Sequence, residues 1–180
     1  MLHLRTSDAN RQPPAEGSYV PDPGLISFEL DPALDFQAPL LRAGHDYWNR
    51  IRDGRDVPLR RSVDPLTMPP GLLSHVLLID VVQAPKLRFR WRLIGTHVTE
   101  ALGRDMTGAW WDDIYRPDVI AALSTGPLEA LRTGRPVRTL GRAPLDSHSF
   151  MSSENMDAPL SSDGSAIDMI MVVTLFEGMG

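Results

Sequence analysis

The chain has 180 residues, of which 42% are hydrophobic and 23% charged, with a formal net charge of -5 at pH 7. Those values suit a single globular domain with a real core, and the acidic balance argues against nucleic acid, whose phosphates select basic surface. The absence of cysteine excludes disulfides, thiolate metal sites and cysteine nucleophiles, and fits a reducing cytoplasm.

Residues 1–35 are rich in Pro, Asp, Ser and Gly and predict a tail without regular structure. They lack the apolar core of a secretory signal, and no apolar run in the chain reaches the roughly 18 residues of a membrane span. The stretch 36–54, FQAPLLRAGHDYWNRIRDG, puts Leu40, Gly44, Tyr47 and Ile51 on one helical stripe, with Leu41 and Trp48 beside it and Gly54 as a stop. Pro58, Pro65, Pro69 and Pro70 then impose an extended connector. Residues 36–72 thus read as an entry helix with its connector, and 73–178 as the remaining domain.

The period changes at 75–82, HVLLIDVV, a buried strand that Ala84-Pro85 ends. In 87–94, LRFRWRLI, Leu87, Phe89, Trp91 and Leu93 alternate with Arg88, Arg90 and Arg92. Burying a Trp removes about 150–250 Å² from water, worth roughly 4–6 kcal/mol before entropic costs. A one-residue slip of the whole strand would expose Trp91 and bury three guanidinium groups.

A short helix is predicted over 96–102, with Thr96 as N-cap and Gly103 as the left-handed stop. A single helical turn fits 112–115. A longer helix over 116–132 opens with Pro117 and must kink or split at Gly126-Pro127. Three strands follow, at 136–142, 149–160 and 166–176. The last sets Ile167, Met169, Met171, Val173 and Leu175 on one face, and Ser161-Ser162-Asp163-Gly164 is the hairpin turn before it. Two strands, a cluster of short helices and three strands argue for an α+β fold with an antiparallel sheet.

The chemical motifs are negative. Gly103 and Gly108 have the spacing of a phosphate loop, but Ala109-Trp110 follows where Lys and a hydroxyl are required. No pair among His3, His45, His75, His97 and His148 has metal-ligand spacing. Asp146-Ser147-His148-Ser149 imitates a triad without a nucleophile elbow and reads as a loop. The adjacent Asp112 and Asp113 point apart on a helix and suit its first turn.

The element order, with Tyr47-Trp48, Gly54, Pro58, Arg60, Asp64-Pro65, Asp80, RFRWRLIGT ending in Gly95-Thr96, GRDMTG at 103–108 and APLSSDG at 158–164, resembles the PAS-domain family, specifically small stand-alone PAS proteins of proteobacteria. The resemblance spans roughly 40–176. It implies a PAS-like five-stranded antiparallel sheet in the order 2-1-5-4-3, with helices on one face and a ligand cavity between them. It also implies a sensory role, often through dimers.

Under that resemblance the apolar wall of Trp91, Leu93, Trp110, Leu123, Met169 and Met171 is either core or pocket lining, methionine adapting to irregular ligands. His97 is either a surface histidine or a ligand contact. Arg88, Arg90 and Arg92 form a solvated ion-paired face, an interface or an anion site. Tyr47 and Trp48 are candidate interface residues.

A cysteine-bound flavin or cysteine-linked chromophore is excluded by composition. Haem is disfavoured, because haem-binding PAS domains use a histidine on the long helix and 116–132 has none. No kinase, cyclase or DNA-binding output domain fits in 180 residues. The expectation is therefore a cytoplasmic module that signals through a small-molecule ligand, a homodimer or an unidentified signalling protein. The alternatives are a small acid–base enzyme of the ketosteroid-isomerase kind, which needs a perturbed carboxylate such as Asp80 or Asp168 in its cavity, and a ligand-free scaffold.

Overall fold

The computed structural model describes residues 26–144 and 150–177. Six antiparallel strands form one sheet: β1 (Ser27–Asp31), β2 (Val76–Val82), β3 (Arg88–Ile94), β4 (Val137–Pro144), β5 (Phe150–Leu160) and β6 (Met169–Glu177). Their spatial order is β1-β4-β5-β6-β2-β3. Without β1, and counting from β2, this is the expected 2-1-5-4-3 path. The helices are α1 (Pro39–Ile51), α2 (Thr96–Leu102), α3 (Trp111–Ile114), α4 (Pro117–Leu123) and α5 (Thr125–Thr133), and three short 3-10 turns punctuate the connector after α1.

The two faces of the sheet have separate cores. Leu41, Gly44, Tyr47 and Trp48 bury the stripe of α1 against Val76, Leu78, Met156, Leu160, Met171 and Val173. Both polar tips are satisfied: Trp48 Nε1 donates to Pro159 O at 2.9 Å, and Tyr47 Oη takes the Asp64 N–H at 2.9 Å. On the other face, α2 to α5 cover Leu77, Ile79, Val81, Phe89, Trp91, Ile94, Ile170 and Val172.

Three local expectations change. The tail prediction fails at its end, because β1 pairs along β4 from Ser27↔Arg142 to Asp31↔Arg138. Alternation in SFELD was present, but five residues between prolines carry too weak a signal to outweigh the surrounding composition. The alternation of β3 also breaks. Ile79 pairs with Trp91 but Leu78 with Leu93, a bulge that leaves Arg92 extra. Leu93 therefore turns to the α1 face, and Ile94 enters the helical core in its place. Since Leu93 and Ile94 are both apolar, alternation alone could not say which of them faces inward. Finally, the N-cap of α2 is Gly95 and not Thr96.

Other features match. Gly103 ends α2 at φ 67° and Gly134 ends α5 at φ 66°, the left-handed conformation that glycine adopts without a Cβ penalty. The kink expected at Gly126-Pro127 is a split into α4 and α5 at Ser124.

Candidate functional site

The helical face is built from two unlike halves. Over β3 lies an aromatic cluster. The Trp111 ring centroid is 4.8 Å from Phe89, 4.9 Å from Trp91 and 6.5 Å from Tyr115. Trp91 Nε1 donates to Tyr115 Oη at 3.2 Å, and Tyr115 Oη donates to Met106 Sδ at 3.2 Å. Burial raises the Tyr115 pKa, so its hydroxyl keeps its proton. Trp111 is 1% exposed, yet its indole N–H has no hydrogen-bond partner.

Beside this cluster a cleft of about 280 Å³ opens between β3 and the helices, with Leu87, Phe89, Trp111, Ile120, Ser124 and Leu128 in its wall. Leu87 and Leu128 at its mouth are 43% and 42% exposed. The polar side of the rim is already neutralised. Arg88 makes a bidentate pair with Asp112 at 2.8–3.1 Å, Lys86 stands 3.6 Å from the same carboxylate, and the Arg88 hydrogen bonds hold the Asp112 pKa down.

Over β4, β5 and β6 the same face is polar. Ser153, Asn155 and Asp157 alternate along β5, flanked by Thr139 and Thr174, and all five are buried. Asn155 Nδ2 donates to Thr139 O at 3.3 Å and Ser153 Oγ at 3.1 Å, while Thr174 Oγ1 donates to Asn155 Oδ1. Asp157 accepts a hydrogen bond from Thr139 Oγ1 at 3.2 Å. Burial pushes its carboxyl up to about 7, against the lowering effect of that one bond.

The residues expected to line one cavity are not brought together. Trp91 and Leu123 share the helical-face core. Met169 and Met171 lie in the core under α1, because β6 presents Ile170 and Val172, and not its methionines, to the helices. The β3 bulge turns Leu93 to the same α1 face, 36% exposed. Trp110 joins the arginine stripe, with the Arg88 and Arg90 guanidinium carbons 4.1 and 5.2 Å from its ring centroid.

His97 sits at the end of the sheet. Its ring is 4.0 Å from His75 and 5.6 Å from Phe176. Its Nε2 faces the Phe176 N–H at 3.4 Å, and burial, with His75 adding to it, lowers its pKa.

The interface candidates have partners within the chain. Tyr47 and Trp48 are 0% and 1% exposed beneath their own helix, so neither offers a surface. Arg90 and Arg92 both pair with Asp80, at 2.5 and 3.3 Å, and Arg88 pairs with Asp112. Asp80 thus serves the arginine side of the sheet, and Asp168 accepts the Ser162 N–H in the β5–β6 turn. Neither lines the cleft beside β3. Asp157 has a perturbed pKa but is only 4% exposed.

Trp111, Ile120, Ser124, Leu128 and Asp157 were missed. The signal for Asp157 was a central strand, SENMD, carrying a polar residue at every second position, which becomes telling only once its neighbours are known. The Asp146–Ser149 stretch lies outside the described residues. Among those described, no group of three or more His, Asp or Glu is placed to hold a metal ion, and no helix is long and apolar enough to cross a membrane.

The family model described as PAS domain matches residues 37–170, well over half of the chain, and the protein belongs to the PAS domain family. No curated protein sequence matches it. Among solved structures, an RsLOV variant is similar over 81% of this chain and 72% of that one, at 13% identity and a TM-score of 0.43.

Proposed function

We propose that this protein is a cytoplasmic sensory PAS module that binds a small ligand in the cleft between β3 and helices α3 to α5. The observation that carries this reading is the cleft itself, walled by Phe89, Trp111, Ile120 and Leu128 on the helical face of the sheet. The Trp111 indole N–H is buried without a partner, which costs about 1–3 kcal/mol, and a ligand acceptor would offset that cost once the ring turned its N–H toward the cleft. A volume of about 280 Å³ lies just below the usual range of ligand clefts, so the ligand is small, with an apolar body and one hydrogen-bond acceptor. Its binding is non-covalent as far as sulfur is concerned, since the chain has no cysteine.

The signal leaves by protein contact, to a second copy of the chain or a signalling partner. That contact uses the helices or the sheet edges, because α1 already covers the other face. Native mass spectrometry of freshly purified protein, beside a Trp111→Phe variant, tests the reading. A retained small molecule in the wild type that is lost from a folded variant is expected. Ligand-free wild type, or equal retention by both, would overturn it.

A further inference from the structure

Asp157 and Glu154 lie three residues apart on β5, on opposite faces of the sheet, and only one of them has a counter-charge. Glu154 faces α1, where Arg138 pairs with it at 2.7 Å. Asp157 faces α5, where the contact is of a different kind. Gly126 in the first turn of α5 stands directly over the carboxylate, so closely that a Cβ there would overlap Asp157 Oδ2 and its carboxyl carbon. The glycine is required by the close approach of helix to carboxyl, since its backbone is not in the left-handed region.

Among the described residues, no charge on the surrounding elements compensates Asp157. On β4, Thr139 offers a hydroxyl, while Arg138 is committed to Glu154 and Asp31 on the other face. On β6, Val172 is opposite Asp157 and Thr174 is bonded to Asn155. On α5, Glu129 and Arg132 pair with each other, and on α4 Asp118 pairs with Arg116. Only burial and the Thr139 bond act on the carboxyl. A neutral carboxyl fits under Gly126; an ionised one there, 4% exposed, is cut off from bulk solvent and faces no cation among the described residues. The helix above has a built-in joint as well, the α4–α5 break at Ser124, one residue before α5 begins.

We propose that Asp157 is a proton-operated latch for α5: the protonated carboxyl holds the first turn of the helix against the sheet, and ionisation releases that turn about Ser124 so that water reaches the carboxylate. The chemistry is a reversible proton exchange with solvent and needs no co-reactant. Ser124 and Leu128 also line the cleft, so release changes the width of the cleft. The latch does not rest on the ligand reading, and it would operate in a protein that binds nothing there. A folded-state pKa of about 7 sets the release near neutral pH.

The test is an NMR titration from about pH 5 to pH 9 on the whole chain. The Asp157 carboxyl carbon is expected to titrate with a midpoint near 7, and the amides of Thr125, Gly126 and Leu128 should shift with the same midpoint. In Asp157→Asn, that transition disappears from the three amides. Thr139→Val removes the hydroxyl donor alone, so it should move the midpoint upward and decide the matter should the asparagine variant not fold. Titration of Asp157 in the ordinary carboxylate range, or α5 amides that ignore its titration, would overturn the proposal.

Discussion

The two carboxylates of β5 show how one strand can carry opposite electrostatics on its two faces. Burial raises the pKa of both. For Glu154 that effect is the largest single one, yet the N–H groups of Ala38 and Gln37, at 2.8 and 2.7 Å, and Arg138 together outweigh it, and its pKa falls. For Asp157 one hydroxyl does not outweigh it, and the pKa rises. Glu154 is a fastener: it holds the entry to α1, ties β5 to β4 through Arg138, and reaches β1 through the Arg138–Asp31 bond of 2.6 Å. Asp157 fastens only in its neutral form.

The largest effect should come from breaking the compensated site. Glu154→Ala leaves Arg138 buried with only half its partners and two N–H groups at the α1 entry without acceptors. A loss of about 3–5 kcal/mol, the usual consequence of removing one partner of a buried pair, should be visible as a lower urea midpoint. The pH dependence of the two sites has opposite sign. Glu154, depressed in the fold, contributes stability that is lost as pH falls through its folded pKa, below the ordinary glutamate value. Asp157, raised in the fold from 3.8 to about 7, contributes stability that is fully present below pH 3.8 and is lost as pH rises to about 7. Stability should therefore peak on the acid side of neutral.

Next in size, Asp157→Asn should raise stability at pH 8 by roughly 2–4 kcal/mol, following from about three pKa units, and change it little at about pH 3.5, below the unfolded pKa. Urea melts at both values check this. A gain of the same size at both would mean that the carboxyl does not titrate in the fold. Trp111→Phe should cost about 1–2 kcal/mol, because the space left by the smaller ring at a 1% exposed site outweighs the removal of an unsatisfied donor. The smallest effect belongs to the rim: Arg88→Ala should leave the melting temperature nearly unchanged at moderate salt, as exposed ion pairs do. A large shift there would show that the Arg88–Asp112 pair props the cleft open.

The legible and illegible parts of this molecule divide along the same physical line. Core strands and helix stops could be read because period, proline and glycine act locally: the α4–α5 split followed from Gly126-Pro127, and the strand order from the resemblance. What failed depended on which face a residue joins. Met169 and Met171 have the right spacing for a core strand, but spacing cannot say whether α1 or α5 lies above them. Leu93 and Ile94 exchanged places through one extra residue. Asp157 looked like an ordinary polar residue in a strand, since nothing in the sequence says that a glycine 31 positions earlier will press on it.

The bulge at Arg92 has one further consequence. β3 is an outer strand of the sheet, and there the offset register, three arginines and the 108–110 segment, which bonds Trp91 through Gly108 N and Ala109 O at 2.6 and 3.0 Å, block a further strand from joining. β1, at the opposite border among the described residues, is regular over its five residues, with Glu29 as its acidic gatekeeper, since Asp31 is paired with Arg138. Templated growth of this sheet, as in a concentrated or aged sample, would start from the N-terminal border, and neutralising Glu29 would hasten it.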